Sequence, residues 1–116
     1  MHTVGISIFC HKAGPAFWSN GAHQNCVFLA MLMRAAGFQA ILLNGGDGPV
    51  PSPDSIPPEA RGIEFVKIGD AIDRLNVLIE AGAQVSAEHV EQVRSRGGVA
   101  ITYKFGSTIV IDSERA

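Results

Sequence analysis

The chain has 116 residues, 47% of them hydrophobic and 17% charged, and a formal net charge of −2. This length fits one domain that buries its own core, and the weak negative charge excludes a basic surface for nucleic acid or anionic membranes. No apolar run approaches the roughly 20 residues that span a bilayer, and no signal peptide is visible, so we expect a cytoplasmic protein.

The first 44 residues have the pattern of a strand, a long loop, an apolar helix and a second strand, which together make one βαβ unit. Gly37 is predicted to end the helix, because glycine adopts the left-handed cap conformation without a steric penalty. The loop from Cys10 to Asn20 is long for a connection of this kind, so function is expected there. The apolar seam of the helix follows spacings of three and four: Ala22, Cys26, Leu29, Met33 and Ala36.

The remaining chain supplies further strands and two more helices. Asp70 is predicted to cap a short helix that ends at Leu75, and Ser86 to cap a longer helix closed by Gly97. Thr108–Ile111 is a candidate sixth strand. The five principal strands are predicted at Thr3–Cys10, Ala40–Leu43, Ile63–Lys67, Asn76–Glu80 and Val99–Tyr103.

This order of elements, with right-handed crossovers, predicts a single α/β domain over residues 1–116. The expected architecture is a three-layer Rossmann-like sandwich with a mostly parallel sheet in strand order 3-2-1-4-5. Ligands of such sheets bind outside the carboxyl ends of the strands, where the strand order reverses. That point lies between the first and fourth strands. The polar or glycyl residues at the strand ends are therefore predicted to bind a ligand: Asn44, Gly45, Gly46, Glu80 and Lys104.

A second group of candidate ligand-binding residues surrounds the start of the first helix. Free backbone N–H groups and the helix dipole favour anions or sugar hydroxyls there, and a tryptophan ring stacks on sugars and bases. This group consists of Trp18, Asn20, Gly21, Gln24 and Asn25.

Each group also has a structural interpretation. Asn20 would then only cap the helix, while Trp18 covers the edge of the core. Glu80 and Lys104 would form an ion pair across the carboxyl edge, which offsets the cost of an unpaired carboxylate there. His23, in the first helical turn, is expected to be neutral and hydrogen-bonded.

Several α/β chemistries are excluded because their motifs are missing. Gly14 and Gly21 lack the spacing of a dinucleotide fingerprint, and no P-loop sequence occurs. The first strand ends in Phe9-Cys10 instead of the carboxylates of a receiver domain, and Ala16 stands where a cysteine phosphatase needs arginine. No residues have zinc-site spacing, so no metal or cofactor is expected, and the two cysteines are predicted to be reduced and buried.

Four motifs carry a family resemblance: Trp18-Ser-Asn-Gly-Ala-His-Gln-Asn-Cys, Leu42-Leu-Asn-Gly-Gly-Asp-Gly, Leu78-Ile-Glu-Ala-Gly-Ala-Gln and Tyr103-Lys-Phe-Gly. Through these motifs, and over nearly its whole length, the chain resembles an uncharacterised bacterial family of glycosyltransferase-like proteins. The apolar helix ending in Ala-Ala-Gly-Phe and the strand Ala-Ile-Leu-Leu-Asn are similar, more broadly, to the amino-terminal domain of GT-B glycosyltransferases.

The resemblance implies that this domain holds a saccharide acceptor, while a second Rossmann-like domain, absent from these residues, holds the nucleotide sugar. The 116 residues alone are then expected to transfer no sugar, and their partner is a second such domain or another copy of the chain. The resemblance assigns no catalytic residue. His11 is a candidate general base, with a solvated loop histidine as the alternative. The alternative function is a stand-alone, non-catalytic ligand-binding or assembly domain.

Overall fold

A five-stranded parallel sheet forms the centre of the domain, with strands in the order 3-2-1-4-5. The structure is a computed structural model that describes residues 2–10, 21–48, 51 and 56–103. The strands are β1 (Thr3–Ile8), β2 (Gln39–Asn44), β3 (Glu64–Lys67), β4 (Val77–Glu80) and β5 (Val99–Thr102). Every neighbouring pair is parallel, so the predicted fold class and strand order are confirmed.

Helices cover both faces of this sheet. The longest helix is α1 (Gly21–Ala35), followed by α2 (Ile68–Ala71) and α3 (Ala87–Ser95), with short 3₁₀ helices at Pro58–Ala60 and Ile72–Arg74. α1 packs on one face, and α2 and α3 contribute to the core on the other face. The domain is therefore the three-layer sandwich that the sequence predicts.

The interior strand β2, between β3 and β1, shows why the sheet needs cover on both sides. Ala40 and Leu42 belong to the core cluster that includes α1, whereas Ile41 and Leu43 belong to the cluster that includes α2 and α3. A strand buried on both faces has a continuous apolar sequence instead of an alternating one. This explains the run Ala-Ile-Leu-Leu between Gln39 and Asn44.

The sequence predicts four residues at helix ends, and the structure confirms three of them: Gly37, Ser86 and Gly97. Gly37 and Gly97 have φ angles of +98° and +84°, the left-handed conformation expected after a helix. Ser86 caps α3, and its hydroxyl accepts a hydrogen bond from the His89 N–H at 3.2 Å.

The prediction that Asp70 caps the second helix is wrong. The cap position is Lys67, three residues earlier, so α2 begins at Ile68, directly after β3, and has no side-chain cap bond. Ile68 and Ala71 are both buried in the core, so their packing sets the start of the helix. Asp70 instead lies in the first turn, where its carboxylate complements the helix dipole.

β1 is two residues shorter than predicted because the chain leaves the ladder after Ile8. The Phe9 carbonyl accepts a hydrogen bond from the His23 ring, and the Cys10 N–H donates to the Asn44 side chain. The candidate sixth strand, Thr108–Ile111, lies outside the described residues. Within the described part of the chain, no helix has both the length and the apolar character that crossing a membrane requires.

Candidate functional site

The carboxyl edge of the sheet gathers the ends of the strands and the start of α1. The Nε2 of His23, in the first turn of α1, donates to the Phe9 carbonyl at 2.6 Å, which fixes the start of the helix beside the end of β1. This bond also agrees with the hydrogen-bonded role predicted for His23. Four of the predicted site residues, His11, Trp18, Asn20 and Lys104, lie outside the described residues, as does the proposed Glu80–Lys104 pair.

Asn44, at the end of β2, joins two segments of backbone. Its side chain is only 3% exposed. The Oδ1 atom accepts hydrogen bonds from the N–H groups of Cys10 at 3.2 Å and Gly46 at 2.8 Å, and Nδ2 donates to the Gly48 carbonyl at 3.0 Å. Three bonds to backbone from one buried amide give Asn44 a structural role: it holds the turn after β2 against the end of β1.

Gly45 and Gly46 allow that turn to lie close to β1. The Gly45 N–H donates to the Ile8 carbonyl at 2.9 Å, and the Gly48 N–H donates to the Cys10 carbonyl at 2.7 Å. A Cβ atom at position 46 would overlap the Cys10 carbonyl oxygen and lie 2.9 Å from its nitrogen. Gly46 is therefore needed for the close approach of two backbone segments.

The turn after β4 is fixed in a similar way by Ser7, a fully buried residue of β1. The Ser7 hydroxyl donates to the Ala83 carbonyl at 2.6 Å and accepts from the Ala81 N–H at 2.9 Å. Between them, the Gly82 N–H donates to the Ser7 carbonyl at 2.8 Å. The turn thus lies across the end of β1, at the point where the strand order reverses.

Among the described residues, an open space at this edge lies beside β4 and β5. It is a depression of about 480 Å³, a volume typical of small-molecule sites, which range over about 300–1,000 Å³. We call it the β4–β5 depression. Its described lining consists of Glu80, Ala81, Gly82, Ala83, Gln84, Thr102 and Tyr103.

Glu80 carries the one carboxylate of this described lining, and its oxygens are held in place. Oε2 accepts from the Val85 N–H at 2.7 Å, and Oε1 accepts from the Thr102 hydroxyl at 3.3 Å. The Glu80 carbonyl also accepts from the Tyr103 N–H at 2.8 Å, which extends the ladder between β4 and β5. The carboxylate is therefore a fixed hydrogen-bond acceptor at the edge of the depression.

The other predicted residues of α1 differ in their exposure. Gln24 is half-buried and Asn25 is exposed, while Gly21 begins the helix. The depression also includes Gln84, Thr102 and Tyr103, which the sequence analysis did not name as ligand-binding residues. Their signal is their position in the chain: β5 ends at Thr102, two residues before Lys104, the residue that we expected at the end of this strand.

The sequence profile of the family described as "Protein of unknown function (DUF2827)" matches residues 4–116. The chain belongs to this family. No significant match was found among curated proteins or among solved structures. The matched residues include the described strands, apart from Thr3 at the start of β1, and the entire described lining of the β4–β5 depression.

The two cysteines of the DUF2827 domain confirm the predicted state: both are free thiols and both are buried. The Cys26 thiol donates to the Ser7 carbonyl at 3.6 Å, and a Cβ on Gly82 would lie only 2.7 Å from its sulfur. Cys26 thus packs under the turn after β4. Across the described ranges, no three His, Cys, Asp or Glu residues form a group that could hold a metal ion.

We expect both thiols to resist alkylation by iodoacetamide near pH 8 while the DUF2827 domain is folded. Burial raises the pKa of Cys10 and of Cys26 to about 11, because the thiolate would lose its hydration. The thiolate is the nucleophile, so only about one thiol in a thousand is reactive at this pH.

Mass spectrometry of samples quenched over time measures both alkylation rates. Modification should be at least about 100-fold slower in the native protein than in concentrated guanidinium chloride, which removes the burial. Rapid labelling of either cysteine in the native protein would contradict the buried positions described above.

Proposed function

We propose that the chain is the acceptor-side, amino-terminal domain of a GT-B-like glycosyltransferase and that it transfers no sugar alone. The observation that supports this best is the β4–β5 depression, at the carboxyl edge where open α/β sheets bind their ligands. Its hydrogen-bonding groups, a carboxylate, an amide and two hydroxyls, are of the kinds that bind the hydroxyls of a saccharide acceptor.

The inactivity of the chain alone follows from what glycosyl transfer requires. The phosphates of the nucleotide sugar must be neutralised and its anomeric carbon must be held close to the acceptor. The described lining of the depression contains no lysine or arginine for the phosphates. A depression open to water also weakens charge interactions, so a second Rossmann-like domain or another copy of the chain must complete the site.

A purified chain of residues 1–116 is expected to give no measurable transfer or hydrolysis of nucleotide sugars. The assay uses a panel of nucleotide sugars with saccharide acceptors and detects released nucleotide. Where the reading frame continues beyond Ala116, the longer chain should show transfer in the same assay.

The outcome against this proposal is turnover by residues 1–116 that disappears when Asn20 or His11 is replaced by alanine. Such turnover would make the 116-residue chain an enzyme in its own right. Failure of every longer natural chain to transfer sugar would also contradict the proposal.

A second candidate is a stand-alone assembly domain without catalysis, and exposed apolar side chains on β5 favour it. Val99 is 53% exposed and Ile101 is 47% exposed, on β5, which is an edge strand among the strands that the structure describes. Apolar edge strands often pair with other chains. Light scattering tests this candidate: the molecular mass should increase with protein concentration, and the variant Ile101→Lys should remove this increase. This result, together with no sugar transfer by any longer chain, would favour assembly over transfer.

A further inference from the structure

We propose that a second depression, at the amino edge of the sheet, binds a small organic monoanion through Arg96 and Asn76. The ligand class is a carboxylate attached to an apolar group. The strands are parallel, so this edge is opposite the β4–β5 depression, and a ligand bound here is independent of the proposed function.

We call this second space the amino-edge depression, and its volume of about 360 Å³ falls in the range of small-molecule sites. It lies where three neighbouring strands begin: His2 precedes β1, Asn76 precedes β4 and Val99 opens β5. Phe38 and Val77 give it further apolar surface. The depression thus combines a polar part with an apolar part.

Arg96, directly after α3, is the cation that attracts the ligand. Its Nη2 donates to the carbonyl oxygens of Ile72 and Leu75, both at 2.9 Å. A guanidinium has five N–H donors, so those on Nε and Nη1 are left for a ligand. Carbonyl oxygens carry only partial charges and do not neutralise the guanidinium. The two bonds also fix its position, which reduces the conformational entropy lost on binding.

The other charges of the lining favour a ligand with a single negative charge. Arg74 forms a bidentate ion pair with Glu64, with N–O distances of 2.7 and 2.9 Å, so it is already engaged. Hydrogen bonding to Glu64 and, to a smaller extent, the charge of Asp73 raise the pKa of Arg74. Asp73 is itself part of the lining, and its carboxylate would repel a dianion more strongly than a monoanion.

Asn76 places a second donor in the same depression. Its Oδ1 accepts from the Thr3 N–H at 2.8 Å, which assigns the orientation of the amide and leaves Nδ2 to donate to a ligand. The Asn76 backbone is held as well, because its N–H donates to the Thr3 carbonyl and its carbonyl accepts from the Val99 N–H, both at 2.9 Å. A carboxylate has two oxygens, one for Arg96 and one for this amide.

The apolar side chains set the second requirement of the ligand. Phe38 and Val77 are half-buried, and Val99 is exposed. An aromatic ring or a branched alkyl group would cover part of this surface, and the removal of apolar surface from water stabilises a complex. A carboxylate without such a group would leave the surface in contact with water and bind less tightly.

The test is a titration of the ¹⁵N-labelled chain at low ionic strength, because salt screens exposed charges. The probes are benzoate, benzamide, which has the ring but no charge, and acetate, which has the charge but no ring. Benzoate should shift the amide signals of Val77, Gly97 and Gly98 in a saturable way. Its dissociation constant should be at least about tenfold lower than that of either other probe.

The variant Arg96→Gln removes the cation and should raise the dissociation constant of benzoate at least about tenfold. Arg94→Gln is the matched control, because it changes the net charge equally at an exposed position of α3, and it should leave the affinity unchanged. Asn76→Asp is a second variant that retains the fold. Aspartate keeps an oxygen for the Thr3 N–H but replaces the donor with a negative oxygen, so it should weaken benzoate binding by a similar factor.

Four outcomes would overturn the inference: no saturable shift with benzoate, shifts confined to other amides, equal affinity for benzoate and benzamide or acetate, or equal benzoate affinity in Arg96→Gln and Arg94→Gln. The comparison of the three probes uses the unmodified chain, so the test remains valid if Arg96→Gln is unstable. Sugar transfer by a longer chain is measured separately, so the failure of the proposed function and the failure of this inference are distinguishable.

Discussion

Replacing Asn44 with leucine is expected to lower the free energy of unfolding by about 3 kcal/mol. Leucine is similar in size, so the change removes hydrogen bonds without opening a large cavity. The N–H groups of Cys10 and Gly46 and the carbonyl of Gly48 would lose their side-chain partner. Each buried polar group left unsatisfied costs about 1–3 kcal/mol, and these three share one site, so their costs are not additive. Urea unfolding followed by circular dichroism measures the loss.

The matched control is Asn25→Leu, the same change at an exposed position of α1. Leucine has the higher helix propensity, so the control should be neutral or more stable by up to about 0.5 kcal/mol. Equal losses in the two variants, or a loss below about 1 kcal/mol for Asn44→Leu, would contradict the structural role of this amide.

Asn44 also shows where sequence analysis of a site reaches its limit. An asparagine at the end of a buried strand can bind a ligand, or it can form hydrogen bonds to backbone groups of its own domain. The sequence pattern is the same in both cases. Its bonds go to the backbone of the adjacent turn and of Cys10, just after β1, and a sequence does not show these partners. Ser7 is a similar case. Its hydroxyl accepts a hydrogen bond from the N–H of Ala81, 74 positions away, and the sequence of β1 does not predict this partner.

The fold was more predictable because its signals are local and repeat along the chain. The apolar run of β2, the glycines after α1 and α3 and the serine before α3 each indicate an element or its boundary without reference to distant residues. With parallel strands and right-handed crossovers, these elements admit few topologies. The Asp70 prediction was wrong because buried contacts of Ile68 and Ala71 with other elements outweighed a local capping signal.

The position of the depression was predicted only approximately. At the carboxyl edge that the reversal of strand order indicates, the turn at residues 81–83 lies across the end of β1, and the β4–β5 depression lies toward β5. This position of the turn depends on Gly82, which lets the turn pack on Cys26 and Ser7. The sequence shows that a glycine follows the strand, but it does not show which distant atoms that glycine contacts.

Replacing Gly46 with alanine should destabilise the domain by about 3 kcal/mol, at the upper end of the range for overpacking. The new methyl group would overlap the carbonyl oxygen of Cys10 and lie 2.9 Å from its nitrogen and 3.0 Å from its carbonyl carbon. These are backbone atoms, so no side-chain rotation relieves the contact. Cys10 is itself held by bonds to Asn44 and Gly48, and moving it would break them. Thermal and urea unfolding measure the loss.

Gly45→Ala provides the control one residue away. A methyl group there would lie 3.4 Å from the Ala83 Cβ and the Ile68 Cδ1, both side-chain atoms at an ordinary contact distance. Alanine also reduces the conformational entropy of the unfolded chain, which stabilises by about 0.4–1 kcal/mol where the backbone conformation permits it. With these two effects, the free energy of unfolding of Gly45→Ala should lie within about 1 kcal/mol of that of the unmodified chain. If both alanine variants unfold with the same free energy, the close approach of the β2 turn to Cys10 is not the reason for glycine at position 46.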